Sequence, residues 1–136
     1  MENATIEALL TEATEIQEFL EFQIDSTNVA AIEERGNDLV AYMARSSKML
    51  ADAKMILNAK KERQLFRLMR EFADSNVSRT AMNELVKSIC KNEQFAVDWI
   101  ERVNRTCTHQ FEWCRTLISK AKAEMAMNTY GGGGVT

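Results

Sequence analysis

Proline occurs nowhere in these 136 residues, and four of the five glycines stand together at 131–134. Proline removes a backbone donor and clashes with the preceding turn, so a chain without it has nothing to break a long helix. The one internal glycine, Gly36, costs a helix only about 1 kcal/mol relative to alanine. The fold class that follows is all-α, an antiparallel helical bundle or a long helical hairpin.

Apolar spacing divides the chain into three helical stretches. Ile6, Leu9, Leu10, Ala13, Ile16, Leu20 and Ile24 recur at three and four residues, which predicts a first helix from after Asn3 to about Ile24. Asp25-Ser26-Thr27-Asn28 are turn and cap residues that end it and start the next. The second helix carries one stripe through Ile32, Gly36, Leu39, Met43, Ser46, Leu50, Ala53 and Leu57, and another through Tyr42, Met49 and Ile56. Two stripes call for two neighbours. The small Gly36, Ser46 and Ala53 allow another helix to come close. Leu65, Phe66, Leu68, Met69 and Phe72 extend the pattern to about Ala73, and residues 74–78 form the next turn. From Arg79 a seam of Met82, Val86, Ile89, Val97, Ile100, Val103, Cys107, Phe111, Cys114, Leu117, Ala121 and Met125 follows, with Glu93 as its one defect and an end predicted at Asn128.

Stretches 28–73 and 79–128 would be about 69 and 75 Å long as straight helices, so they match around the turn between them. The weakest helical points, 58–61 and 91–93, lie at nearly the same distance from that turn and should face each other. Either both helices run straight past this level, giving three helices, or both bend there and a fourth appears. The chain reads as one helical domain over 1–130, followed by a flexible Gly-rich tail at 131–136.

No apolar run approaches the roughly 20 residues of a membrane span, and the first residues lack the basic and apolar regions of a secretory signal. The expected location is the cytoplasm, with no membrane association. Cys90, Cys107 and Cys114 fit that expectation as reduced, buried thiols. The latter two lie about 10 Å apart by helical rise, too far for a disulfide, and no Cys/His spacing suits zinc.

The net charge of −3 conceals a separation of sign. Residues 1–34 hold nine Asp and Glu and no Lys or Arg. Residues 59–91 hold eight basic residues, Lys60, Lys61, Arg63, Arg67, Arg70, Arg79, Lys87 and Lys91, against four acidic ones. Lys60, Arg63, Arg67 and Arg70 recur at helical spacing, and with Phe66 beside them they could track the phosphates of a nucleic acid. The same separation suits self-association, the basic tip of one copy meeting the acidic first helix of another. A pI of about 5.3 argues against tight general nucleic-acid binding.

Residues 98–115 are the richest in chemistry. Trp99, Arg102, Arg105, His109, Glu112 and Trp113 fall on successive turns, and Trp and Arg are the usual anchors of interfaces. Such a stripe is either a polar network inside the bundle or a surface for a partner or ligand; Arg102 and Arg105 could also hold an anionic nucleotide. His109 and Glu112 reverse the Glu-x-x-His order of di-iron bundles and have no second histidine, so no metal or other cofactor is expected. Glu33, Glu34 and Asp38 resemble half of the acidic site of all-α nucleotide pyrophosphohydrolases of the MazG type, but Glu101, Glu112 and Glu124 do not supply the other half. No phosphate-binding glycine loop or nucleophile pairing is present, and the expectation is a non-enzymatic protein.

Two segments, Tyr42-Met43-Ala44-Arg45-Ser46-Ser47-Lys48-Met49-Leu50-Ala51-Asp52-Ala53-Lys54 and Glu101-Arg102-Val103-Asn104-Arg105-Thr106-Cys107-Thr108-His109-Gln110, resemble small all-helical proteins of prophages and mobile elements. The resemblance implies an accessory protein of a phage or its bacterial host, in the cytosol, and carries over no catalytic residue. The expected function is binding of a macromolecule, chiefly a protein partner, as an oligomer. The alternatives are a recombination or replication accessory that binds nucleic acid through the basic tip, and a counter-defence protein that sequesters a nucleotide or host protein.

Overall fold

The computed structural model describes residues 4–133, and these form four helices with no strand among them: α1 (Ile6–Glu21), α2 (Val29–Glu71), α3 (Arg79–Ile89) and α4 (Lys91–Gly133). The starts are set by side-chain caps. Thr5, Asn28 and Ser78 each accept the backbone N–H three residues on, from Ala8, Ala31 and Ala81, satisfying donors that a helix leaves free. Asn28 and the turn before Arg79 are where the sequence puts them. The first cap is Thr5, while Asn3 lies outside the described residues. Between α1 and α2 the Asp25 carboxylate accepts from both the N–H and the hydroxyl of Thr27, so this connection is a hydrogen-bonded turn.

α2 and α4 form the long antiparallel hairpin that the matched lengths predict. Lys60 meets Glu93, Asn104 bonds Ser46, and Gly36 faces Cys114; positions rise on one helix as they fall on the other. The levels 58–61 and 91–93 do face each other, but they do not behave alike. α2 runs unbroken through its weak point, whereas the returning chain breaks at Cys90, which leaves helical geometry at φ −96°, ψ 13°. The break is mild: Cys90 still donates to Val86 and accepts from Gln94. It falls where the neighbours change. α3 lies against α2, while α4 serves both α2 and α1, whose first turn approaches Asn92 and Phe95.

α1 therefore lies on the open half of the hairpin, parallel to α4 and antiparallel to α2, from the level of Glu93 to that of Arg35 and Gln110. Its Leu9, Ala13, Ile16 and Leu20 are buried against Ile32, Leu39 and Met49 of α2 and Ile100, Val103 and Cys107 of α4. Both stripes of α2 are used within the chain. Met49 is wholly buried, Tyr42 and Ile56 pack against the core, and the Tyr42 ring lies 4.6 Å from that of Phe19. An ion pair between Arg45 and Glu12, with Nη2 to Oε2 at 2.6 Å, adds a clamp between α2 and α1.

Two expectations fail at the far end of α4. The seam stops near Leu117 and Ile118; Met125 is exposed, because neither α1 nor α2 reaches opposite it. The helix also continues past Asn128 to Gly133. The rest of the Gly-rich tail, 134–136, lies outside the described residues. Among the described residues no helix is long and apolar enough to cross a membrane.

Candidate functional site

α4 presents three different surfaces, and they separate residues that the sequence groups together. The face toward α2 is apolar. The outer face carries Phe95, Trp99, Arg102, Thr106, His109 and Trp113 at steps of three and four, so they form one stripe along five turns. Phe95 and Trp113 are each 59% exposed and Trp99 is half-buried, its ring 6.0 Å from that of Phe95. Arg102, Arg105, His109 and Glu112 all face solvent. Arg105 reaches Glu101 at 3.4 Å and His109 approaches Glu112 at 3.9 Å, both in exposed pairs along one helix. The polar stretch is thus a surface, and the reading of it as an interior network is overturned. The two tryptophans are not equally exposed either, since Trp99 leans on the core.

The interior polar network exists, but other residues build it. Asn104 Nδ2 donates to the carbonyl of Met43 at 3.1 Å and to the hydroxyls of Ser46 and Ser47 at 2.8 and 2.9 Å. Nearer the open end, Arg35 is 6% exposed. Its Nη2 donates to the Leu20 carbonyl at 3.3 Å and to Gln110 Oε1 at 2.9 Å, while Gln110 Nε2 donates to the same carbonyl at 2.9 Å. The guanidinium lies 4.0 Å from the centroid of the Phe19 ring, within range of a cation–π contact. Arg35 thereby joins the C-terminal end of α1 to α2 and α4. Its pKa is pushed down by burial, opposed by weaker attractions that include Asp38. Asp38 is exposed and makes no ion pair with it. Sequence reasoning missed Arg35 and Gln110. The available signal was position: Arg35 is the first cation of the chain, and it stands between Ile32 and Leu39 beside the apolar stripe.

Arg35 and Gln110 also line a cleft of about 290 Å³ with Leu20, Phe22, Ile24, Trp113, Cys114 and Leu117. Burial raises the pKa of the Cys114 and Cys107 thiols, and the Arg35 charge only partly offsets it. All three cysteines are free and buried.

At the basic tip the predicted stripe is interrupted. Lys60 turns inward to Glu93, Arg67 is held by Gln64 and Glu71, and Lys87 pairs with Glu84. Lys61, Arg63, Arg70, Arg79 and Lys91 make no ion pair among the described residues. A cleft of about 490 Å³ opens between α2 and α3, lined by Leu65, Val86, Lys61 and Lys87 but also by Glu62 and Glu84, so its charges are balanced. Among the described residues no three His, Cys, Asp or Glu side chains gather as a metal site. Among these residues His109 and Glu112 gain no third ligand of that kind, and Glu33, Glu34 and Asp38 do not come together as one group.

Comparison with protein-family models, with curated proteins and with solved structures finds no match to this chain.

Proposed function

We propose that this protein is a non-enzymatic binding module whose α4 outer face docks a protein partner. The observation that carries this reading is the stripe itself. Aromatic rings stand at both ends, Phe95 and Trp99 at one and Trp113 at the other, with Arg102 and His109 between, and none of the charged groups is used to hold the bundle together. A long rigid helix that presents rings and arginines in line is the arrangement of an interface anchor. The resemblance of residues 42–54 and 101–110 to prophage helical proteins supports an accessory role for a phage or mobile element in a bacterial cytoplasm. Self-association through the same face belongs to this reading.

The test is the combined variant Trp113→Ala and Arg102→Glu. It should melt like the wild type and lose a partner that the wild type retains on co-purification from its own cells, or lose self-association in sedimentation. Unchanged co-purification and sedimentation would overturn the reading.

A second reading rests on the five cations of this segment that make no ion pair among the described residues. If they track phosphates, a gel shift should weaken steeply with salt and vanish on charge reversal at Arg63, Arg70 and Arg79. Lys60 and Arg67 have intrachain partners, which weakens this reading relative to the first.

A further inference from the structure

Arg35 carries a full charge into the bundle without a carboxylate to meet it. Its nearest electronegative partners are the Leu20 carbonyl and the Gln110 amide oxygen, both taken by Nη2 alone. Leu20 lies in the last turn of α1, where the helix end presents roughly half a negative charge. The Phe19 ring covers one side of the guanidinium and exposed Asp38 attracts it only weakly, so no ion pair neutralises it among the described residues. Nε and Nη1 make no hydrogen bond, yet no fully buried side-chain nitrogen or oxygen among the described residues lacks a partner. These donors therefore reach open space, and the space beside Arg35 is the 290 Å³ cleft.

The cleft has a consistent chemical character. Arg35 is the one ionisable group of definite charge on its wall; Gln23, Ser26 and Gln110 add neutral polar groups, and Leu20, Phe22, Ile24, Trp113 and Leu117 supply the apolar part. Phe22 is 69% exposed although it immediately follows α1, an unfavourable position for a free phenyl ring. A volume at the small end of the range for ligand sites suits a compact molecule. A single cation suits a single negative charge rather than the doubled charge of a phosphate monoester.

We infer that this cleft binds a small apolar monocarboxylate, its carboxylate accepting from the unclaimed Arg35 donors and its hydrocarbon or aryl body lying against Phe22, Trp113 and Leu117. Gln110 is then a positioning residue. By bonding both Arg35 and the Leu20 carbonyl it fixes the guanidinium plane, leaving the remaining donors turned to the ligand. The site is separate from the partner face proposed above, with Trp113 alone common to both.

Calorimetric titration with 4-phenylbutyrate and its uncharged counterpart 4-phenylbutanol tests the assignment on the full chain. The acid should bind saturably with one site per chain, at least about tenfold tighter than the alcohol, a difference well within the reach of one charge-assisted contact. Arg35→Gln should erase that difference. Because this substitution also removes a tie between three helices, Leu117→Trp is the second variant. It leaves Arg35 in place, fills the cleft, and should block the acid while the melting temperature stays close to that of the wild type. Equal affinity for acid and alcohol, absence of saturable binding in the low-millimolar range, or full binding by a folded Leu117→Trp protein would each overturn the inference. None of these outcomes bears on whether the α4 face docks a protein.

Discussion

Lys60 on α2 and Glu93 in the first turn of α4 form the ion pair, among those of the described residues, in which both partners are most withdrawn from water. Their side chains are 29% and 9% exposed, and Nζ lies 3.2 Å from Oε2 and closer still to Oε1. The pair sits just beyond Cys90, where the returning helix breaks. Glu93 interrupts the apolar seam because a cation waits opposite it.

Removing one partner leaves the other charge facing an apolar seam. Lys60→Met should destabilise the fold by about 2–3 kcal/mol, the partial exposure of Lys60 moderating the larger loss expected for a fully buried pair. Replacing both, as Lys60→Met with Glu93→Leu, should restore most of it. Urea unfolding of the two singles and the double checks this; a double variant as weak as the worse single would show that the pair is not the source of the loss.

The solvent-facing polar residues of α4 should behave in the opposite way. Arg105→Ala should change stability by less than about 0.5 kcal/mol, since its contact with Glu101 is an exposed pair. Asn104→Ala, one residue earlier, should cost about 1–2 kcal/mol by stranding the groups it bonds around Ser46. Thermal melts of the two variants should differ by several degrees, and a destabilised Arg105→Ala protein would place that arginine back in the structural network.

Gly36 lies on the buried side of α2, and a methyl group there would meet Cys114 Cβ at 4.0 Å, an ordinary contact. The helix interaction does not need a glycine at this level. Gly36→Ala should therefore stabilise the protein by about 0.5–1 kcal/mol through helix propensity and the loss of unfolded-state freedom. A lowered melting temperature would contradict this.

Acid should loosen α1 first. The Glu12 carboxyl is held below its ordinary value of 4.5, chiefly because Arg45 donates to it, with burial opposing and the Arg45 charge assisting. A carboxylate whose pKa falls on folding stabilises the fold above its unfolded value, and that contribution disappears as pH drops through the lowered folded value. The melting temperature should therefore decline below about pH 4.5, and less so in Glu12→Gln, which already lacks the contribution at neutral pH. Identical acid profiles would remove the Glu12–Arg45 clamp from the account.

How far these features are legible without coordinates differs from one kind of residue to another. Caps and apolar spacing are local, so Asn28, Ser78 and the seam from Val86 to Leu117 can be read along the chain. The facing of 58–61 and 91–93 is also legible, because it needs only the position of a turn and a rise per residue. What cannot be read is which polar residue turns inward. Arg35, Asn104 and Gln110 look no less soluble than Arg102, Arg105 and His109; α2 selects Asn104 through Met43, Ser46 and Ser47, and α1 selects Arg35 and Gln110. Its docked orientation brings the Leu20 carbonyl to Gln110 and leaves the opposite side of α4 bare. The single-sided break has the same cause, since α1 adds a second neighbour below Cys90 and none above it.

That docking also imposes an order on synthesis. Leu20 and Gln110 are separated by 90 positions, and the surface that buries α1 is completed by α4. At a synthesis rate of about 5–20 residues per second, roughly 5–18 seconds pass between the making of Leu20 and the making of its partner. Throughout that interval the acidic helix has only a partial seat on α2. Its five carboxylates, Glu7, Glu12, Glu15, Glu18 and Glu21, stand in a stretch that has no Lys or Arg before Arg35, so like charge opposes association of the waiting helix with another copy of itself.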